Sequence, residues 1–172
     1  MITIRNAIMS DAAGIREVCI KGNQDAYASI YSGDYLQTVI DEFYNLDRIK
    51  KEIIPSGRGW SGYLTALQHD RVVGAIGGGM IGEKAGEIYV LYLDPDYRGR
   101  GIGTKLLEAL TKQQKELYGA EEQWVSVQKG NEKGIPFYEA RGFVFQKDQP
   151  GYGESKEAAS YISLRYKRRL LS

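Results

Sequence analysis

The spacing of apolar residues changes several times along the chain, and each change marks an element. In ITIRNAI, residues 2–8, Ile2 and Ile4 alternate with polar positions ahead of Ala7 and Ile8, the two-residue period of a first strand. SDAAGIREVCIKG then sets Ile15, Val18 and Cys19 on one helical face, with Ser10 or Asp11 as the cap and Gly22 as the stop. In YLQTVIDEFYNLDRIKKEII, apolar residues at 36, 39, 40, 43, 46, 49 and 53 predict one helix that Pro55 ends.

GYLTALQHDRVVGAIGGGMIG reads as two strands around a polar QHDR turn, and GEIYVLYLDP as a buried strand closed by Asp94-Pro95. Beyond a glycine turn, Ile102, Leu106, Leu107 and Leu110 form a helical stripe whose role is core. EQWVSVQ is another short strand. NEKGIPFYEARGF has Asn131 as a cap and Gly142 as a stop, and FVFQK and ASYISLRY supply the last two strands. The order is strand, two helices, three strands, helix, strand, helix, two strands. Hairpins in the middle and helical crossovers later place the chain in the α+β or mixed α/β class.

Composition narrows the function classes. With 172 residues the chain fits a single domain, 1–172, with a proper core. Lys plus Arg is 23 against 22 for Asp plus Glu, so the basic excess that an obligate nucleic-acid partner requires is missing. A lone cysteine, Cys19, allows no internal disulfide. No apolar run reaches membrane-spanning length and the first residues lack a signal-peptide layout, so a cytoplasmic protein without a membrane partner is expected. The terminal RYKRRLLS reads as a strand end with a solvated tail.

The candidate chemistry begins at DPDYRGRGIGTKLLEAL, where Gly99, Gly101 and Gly103 occupy alternate positions just before a helix. Bare backbone at a helix N-terminus suits an anion, because unpaired N–H donors and the helix dipole both face it. A Walker loop fails, since the order here is Gly103-Thr104-Lys105, and Gly-x-Gly-x-x-Gly is not matched either. What remains is Arg-x-x-Gly-x-Gly at a strand end.

Together with its flanks, EIYVLYLDPDYRGRGIGTKLLEAL resembles the pyrophosphate-binding motif of the GNAT superfamily of N-acetyltransferases. NEKGIPFYEARGF resembles that superfamily's second motif, Asn-x-x-Ala-x-x-Phe-Tyr-x-x-x-Gly-Phe, with Gly134 where alanine is usual. The opening IRNAIMSDAAGI resembles its first strand and helix, so the likeness runs over roughly the whole chain. It implies a central mixed, mostly antiparallel twisted sheet of about seven strands with flanking helices, splayed where acetyl-CoA binds.

The resemblance also assigns roles. Acetyl-CoA is the co-substrate, and no metal is implied. Main-chain N–H groups from Arg98 through Gly99, Arg100, Gly101, Ile102 and Gly103, with Thr104, would cradle the pyrophosphate. The backbone of Leu91 and Leu93 would pair with the pantetheine arm and supply oxyanion donors. Asn131 would contact the CoA arm, although a helix cap would look the same in sequence. Tyr138 corresponds to the tyrosine that protonates the leaving sulfur. Glu87 corresponds to a strand glutamate that deprotonates the amine in lysine acetyltransferases; strand alternation would put it on one face with Tyr89, Leu91 and Leu93.

His69 sits in the QHDR turn and Cys19 on a helix face, so neither reads as catalytic. The acceptor side of such a fold falls on GNQDAYASIYSGDYL and DQPGYGESKEAAS, which mix Tyr27, Tyr31, Tyr35 and Tyr152 with Asp25, Asp34, Asp148 and Glu154. Aromatic walls with carboxylates suit a cationic amine: a small amine, a polyamine or a peptide amine. The competing readings are a catalytically silent CoA-binding sensor and an aminoglycoside N-acetyltransferase. The sequence leaves room for a homodimer.

Overall fold

The computed structural model describes residues 1–151 and 155–171. Seven strands form one sheet: β1 (Ile2–Asn6), β2 (Tyr63–Gln68), β3 (Arg71–Met80), β4 (Ala85–Leu93), β5 (Glu122–Gln128), β6 (Val144–Pro150) and β7 (Ile162–Arg169). Their spatial order is β1-β2-β3-β4-β5-β7-β6. Every neighbouring pair is antiparallel except β4 and β5, which run parallel. The expected α+β class with a mostly antiparallel seven-stranded sheet is what forms.

Two apolar layers flank the sheet. On one face, α4 (Ile102–Tyr118) buries Ile102, Leu106, Leu107 and Leu110 against Val73, Ile88 and Val125, joined by Tyr138 of α5 (Gly134–Glu139). On the other, α1 (Ala12–Tyr27) and α3 (Leu46–Ile53) bury Ile15, Val18, Cys19 and Ile49 against Tyr63, Leu67 and Ala75. Burial pushes the Cys19 thiol well up, which leaves a packing residue and no nucleophile.

Several expected boundaries move, each for a local reason. Gly22 does not end α1, which continues to Tyr27. Tyr92 lies against Gly22, where an added Cβ would come within 2.7 Å of the ring, so this glycine serves close packing. The single helix expected before Pro55 is two, α2 (Gly33–Phe43) and α3. Asn45 breaks it: its Nδ2 donates to the carbonyls of Asp41 and Glu42, while its Oδ1 accepts from Arg48 N at 2.9 Å. One residue thus closes one helix and caps the next. A short α6 (Lys156–Ser160), capped by Ser155, occupies the start of the expected last strand, and β7 begins at Ile162.

His69 and Asp70 link β2 to β3 with φ of 50° and 62°, the two positive values of a type I′ hairpin turn. His69 is exposed there, away from the candidate chemistry. His69→Asn is therefore expected to leave turnover unchanged and to raise the unfolding midpoint by about 1–3 °C, since Asn accepts positive φ more readily. Thermal unfolding and a thiol-release assay check both halves.

Candidate active site

Asp94 turns the chain out of β4. It is buried, accepts from Asp96 N at 3.0 Å, and pairs with Arg71 at 3.3 Å and Lys21 at 3.6 Å. Pro95 opens the short 3-10 turn that follows. The three glycines after it do different jobs. Gly99 and Gly101 have φ of 76° and 75°, and an added Cβ at either would meet nothing within 4 Å, so the requirement is conformational. Gly103 lies inside the first turn of α4, where an added Cβ would sit 3.1 Å from the Phe137 ring and 3.7 Å from Leu93. It lets α4 close onto α5 and β4.

Strands β4 and β5 pair from Ala85↔Glu122 to Ile88↔Val125 and then part. Beyond that point residues 90–93 keep β3 as their only strand neighbour among the described residues. The groove so opened, of about 150 Å³, is lined by Leu91, Leu93, Arg98, Gly103, Asn131 and Tyr138, all singled out in the sequence. Gly99, Arg100, Gly101, Ile102 and Thr104 do not line it. The Ile102 side chain is core, Arg100 lies over the Tyr97 ring at 4.8 Å, and Thr104 accepts a hydrogen bond from Arg141. What this segment offers a ligand is the main chain at the start of α4.

Asn131 caps the turn into α5, accepting from Gly134 N at 2.8 Å and Lys133 N at 3.2 Å, and lines the groove as well. Gly134, where alanine is usual, leaves room for this cap, because a Cβ there would come within 2.7 Å of the Asn131 amide. The ring of Tyr138 is held edge-on between Phe137 and Phe143, at 5.2 and 5.3 Å between centroids. Burial raises its hydroxyl above the ordinary tyrosine range, so it stays protonated at neutral pH.

A second, larger cavity of about 710 Å³ lies on the α1–α3 side of the sheet. It shares Tyr27, Tyr89, Val90 and Ser126 with the groove, so the two spaces meet where β4 and β5 part. Its wall carries the expected Tyr27, Tyr31 and Tyr35 together with Phe43, Trp60 and Tyr63. The expected carboxylates are elsewhere. Asp25 is bound by Arg98 and by Lys133 (2.8 Å) on the groove side, and Lys133 first, with Arg98, holds its carboxyl below the usual range. Asp34 and Asp148 do not line the cavity, and Tyr152 and Glu154 fall outside the described residues. Among the described residues, the carboxylate that does line it is Glu52, paired with Arg48.

Glu87 is placed by a bulge. Gly77 pairs with Val90 and Gly78 with Ile88, so Tyr89 is the extra residue and strict alternation stops there. Ile88, Leu91 and Leu93 turn to the α4 layer, while Val90 and Tyr92 turn to the α1 layer. Glu87 therefore shares the second cavity's face with Tyr89 and Val90, and not with Leu91 and Leu93. Its carboxylate is buried and pairs with Arg165 at 2.8 Å. Arg165 in turn donates to Ser126 Oγ at 2.9 Å and lies over the Trp124 ring at 4.9 Å. Glu87 lines neither cavity and reaches their junction through Arg165 and Ser126.

Trp60 escaped the sequence reading, although its signal was present in the triple glycine of β3. A Cβ on Gly77 would lie 2.3 Å from the Trp60 ring, and one on Gly79 would lie 2.1 Å from Gly59 O. Glycines in a strand interior mark such close approaches. Trp60 is fixed further by donating Nε1–H to Glu52 O at 2.7 Å. Among the described residues, no cluster of His, Cys, Asp and Glu has the makings of a metal site, and no helix is long and apolar enough to cross a membrane.

Residues 24–143 match the Acetyltransferase (GNAT) family. A spermidine N(1)-acetyltransferase of Thermoplasma acidophilum is 33% identical over 143 residues, 83% of this chain and 88% of that protein. A mycothiol acetyltransferase of Propionibacterium freudenreichii is 39% identical over 77 residues, 45% of this chain but 24% of that longer protein. Among solved structures, the PaiA N-acetyltransferase of Thermoplasma acidophilum in complex with coenzyme A superimposes with a TM-score of 0.83 at 26% identity, over 99% of both chains.

Proposed function

The chain belongs to the GNAT family of acetyltransferases, and we propose that it transfers the acetyl group of acetyl-CoA to a primary amine by direct attack, with both substrates bound at once. The observation that carries this reading is the meeting of two cavities at Tyr27, Tyr89, Val90 and Ser126, beside the open edge of β4. A one-substrate binding module has no use for the second space. The family resemblance and the relatives named for amine acetylation support the same reading.

The residues present fit acetyl-CoA, which supplies the acetyl thioester when bound. The start of α4, opened by the positive φ of Gly99 and Gly101, would hold the pyrophosphate on main-chain N–H groups. Along residues 90–93 β4 pairs with β3 and no longer with β5, and Leu91 and Leu93 are the positions proposed to present the other backbone edge to the pantetheine amides. Asn131 would steady the arm from α5. Arg98 and Lys133, now shared with Asp25, would turn to the phosphates.

Two protons must move. Tyr138 would donate to the departing sulfur, and the raised affinity of its hydroxyl for the proton keeps it loaded for that step. Glu87 would draw the ammonium proton through water beside Ser126, since it does not open directly on the junction, while Arg165, a donor only, holds the carboxylate in place. Glu87→Gln is expected to lower kcat by about 10–10²-fold, at or below the low end for a directly placed base. The loss should shrink as pH rises, because more of the amine is then already neutral. Rates equal to wild type across that pH range would leave Glu87 as the partner of Arg165 alone.

The test of the reading as a whole is thiol release from acetyl-CoA with a panel of primary amines. Amine-dependent release, with the acetylated amine found by mass spectrometry, is the expected result. Tight CoA binding without release for any amine would instead identify a silent CoA-binding module.

A further inference from the structure

Resting on that acetyltransferase reading, we infer that the acceptor is a small monoamine with an apolar, aromatic-sized body, and neither a polyamine nor a peptide N-terminus. The charge and shape of the larger cavity select for such a body. Its wall is built from rings, and its only oppositely charged side chains among the described lining residues are Arg48 and Glu52, which bind each other. Arg48 also lies over the Phe43 ring at 4.7 Å. The described part of the wall is therefore close to neutral.

A polyamine brings further ammonium groups beyond the one that reacts. Each buried ammonium needs a partner, or it loses several kcal/mol of hydration. The described wall offers Glu52, already engaged, and ring faces. Glu157, which accepts from the Ser32 and Tyr161 hydroxyls, is not part of that wall. An aromatic body, by contrast, buries roughly 150–250 Å² of apolar surface against these walls at about 25 cal/mol per Å². Burial of one ring favours the monoamine.

The roof argues against a polymer. Tyr31, in the connection between α1 and α2, packs against Tyr35 of α2 at 4.8 Å and against Tyr161, just ahead of β7, at 4.6 Å. The Tyr31 hydroxyl donates to Gln128 Oε1 at 2.9 Å, and Ser32 N donates to the Tyr161 hydroxyl at 3.0 Å. These rings are too close together to admit a chain between them. They tie the α1–α2 connection to β5 and to the residue before β7. Trp60, which lines the cavity, packs against Gly77, where an added Cβ would meet its ring at 2.3 Å.

The test measures binding first. Calorimetry on the protein saturated with CoA is run with phenethylamine, tyramine, spermidine and a short peptide with a free N-terminus. Phenethylamine or tyramine is expected to bind at least tenfold more tightly than spermidine or the peptide. Trp60→Ala should cut that affinity at least tenfold while CoA affinity stays the same, and Gly77→Ala should reproduce part of the loss by displacing the ring. Spermidine or the peptide binding as tightly as the aryl amines would overturn the inference. The same panel scored by thiol release keeps the two readings apart: aryl-amine binding without release for any amine upholds the pocket and rejects the acetyltransferase.

Discussion

Tyr138→Phe is expected to lower kcat by about 10²–10⁴-fold, the range for removing a positioned general acid, while acetyl-CoA affinity changes little. The structure makes this substitution clean. The ring sits edge-on between Phe137 and Phe143 and is 8% exposed, so phenylalanine keeps the packing and deletes one oxygen. The hydroxyl that is lost belongs to the groove where the backbone of β4 lies open. Because burial raises its proton affinity, the group is protonated over the whole neutral range, and wild-type kcat should show no acid-to-base transition from Tyr138 near pH 7. Steady-state rates, CoA calorimetry and thermal midpoints on the same preparation separate chemistry from folding. Near-normal kcat would mean that water protonates the departing sulfur.

How far the sequence could be read depended on whether the cause lay in local backbone or in distant packing. Gly99 and Gly101 were legible because positive φ is a local demand that only glycine meets cheaply, and both have it. Gly22 looked like the same kind of stop, but its cause is Tyr92, seventy residues away in the chain, and no window around residue 22 contains that information. The α2–α3 break hid for a related reason. Both helices keep their apolar residues on one periodic pattern, and only the hydrogen bonds of Asn45 separate them.

The site followed the same division. Leu91, Leu93, Arg98, Gly103, Asn131 and Tyr138 come together on the groove because two contiguous motifs carry them. The larger cavity is assembled from α1, α2, α3, β2, β4, β5, β7 and the segments between them, so its chemistry had no motif to announce it. Composition pointed to tyrosines and carboxylates, and Tyr27, Tyr31 and Tyr35 are there. Asp25, however, turned to Arg98 and Lys133, while Glu52, unmarked in the sequence, entered the wall. Glu87 shows how one inserted residue alters a face: the bulge at Tyr89 cancels the alternation that would have aligned it with Leu91 and Leu93.

Gly101→Val is expected to weaken acetyl-CoA binding by at least about 10²-fold while leaving a folded protein. At φ of 75° a β-branched residue is strained by roughly 1–3 kcal/mol, and the loop can relax only by rotating the peptides that start α4. Those peptides carry the N–H groups proposed to face the pyrophosphate, so relief of strain and loss of the anion site are the same movement. The fold should survive, because Ile102, Leu106, Leu107 and Leu110 still bury the α4 stripe and no atom stands within 4 Å of the new Cβ. Gly103 gives a graded comparison. Alanine there meets the Phe137 ring at 3.1 Å, which a small shift relieves, whereas leucine must push α5, and Tyr138 with it, away from the groove. Gly103→Ala should therefore cost little and Gly103→Leu should reduce both affinity and kcat. Calorimetry with CoA, with circular dichroism as the folding control, reads the outcome. Wild-type affinity in a folded Gly101→Val protein would remove residues 98–104 from the binding of acetyl-CoA.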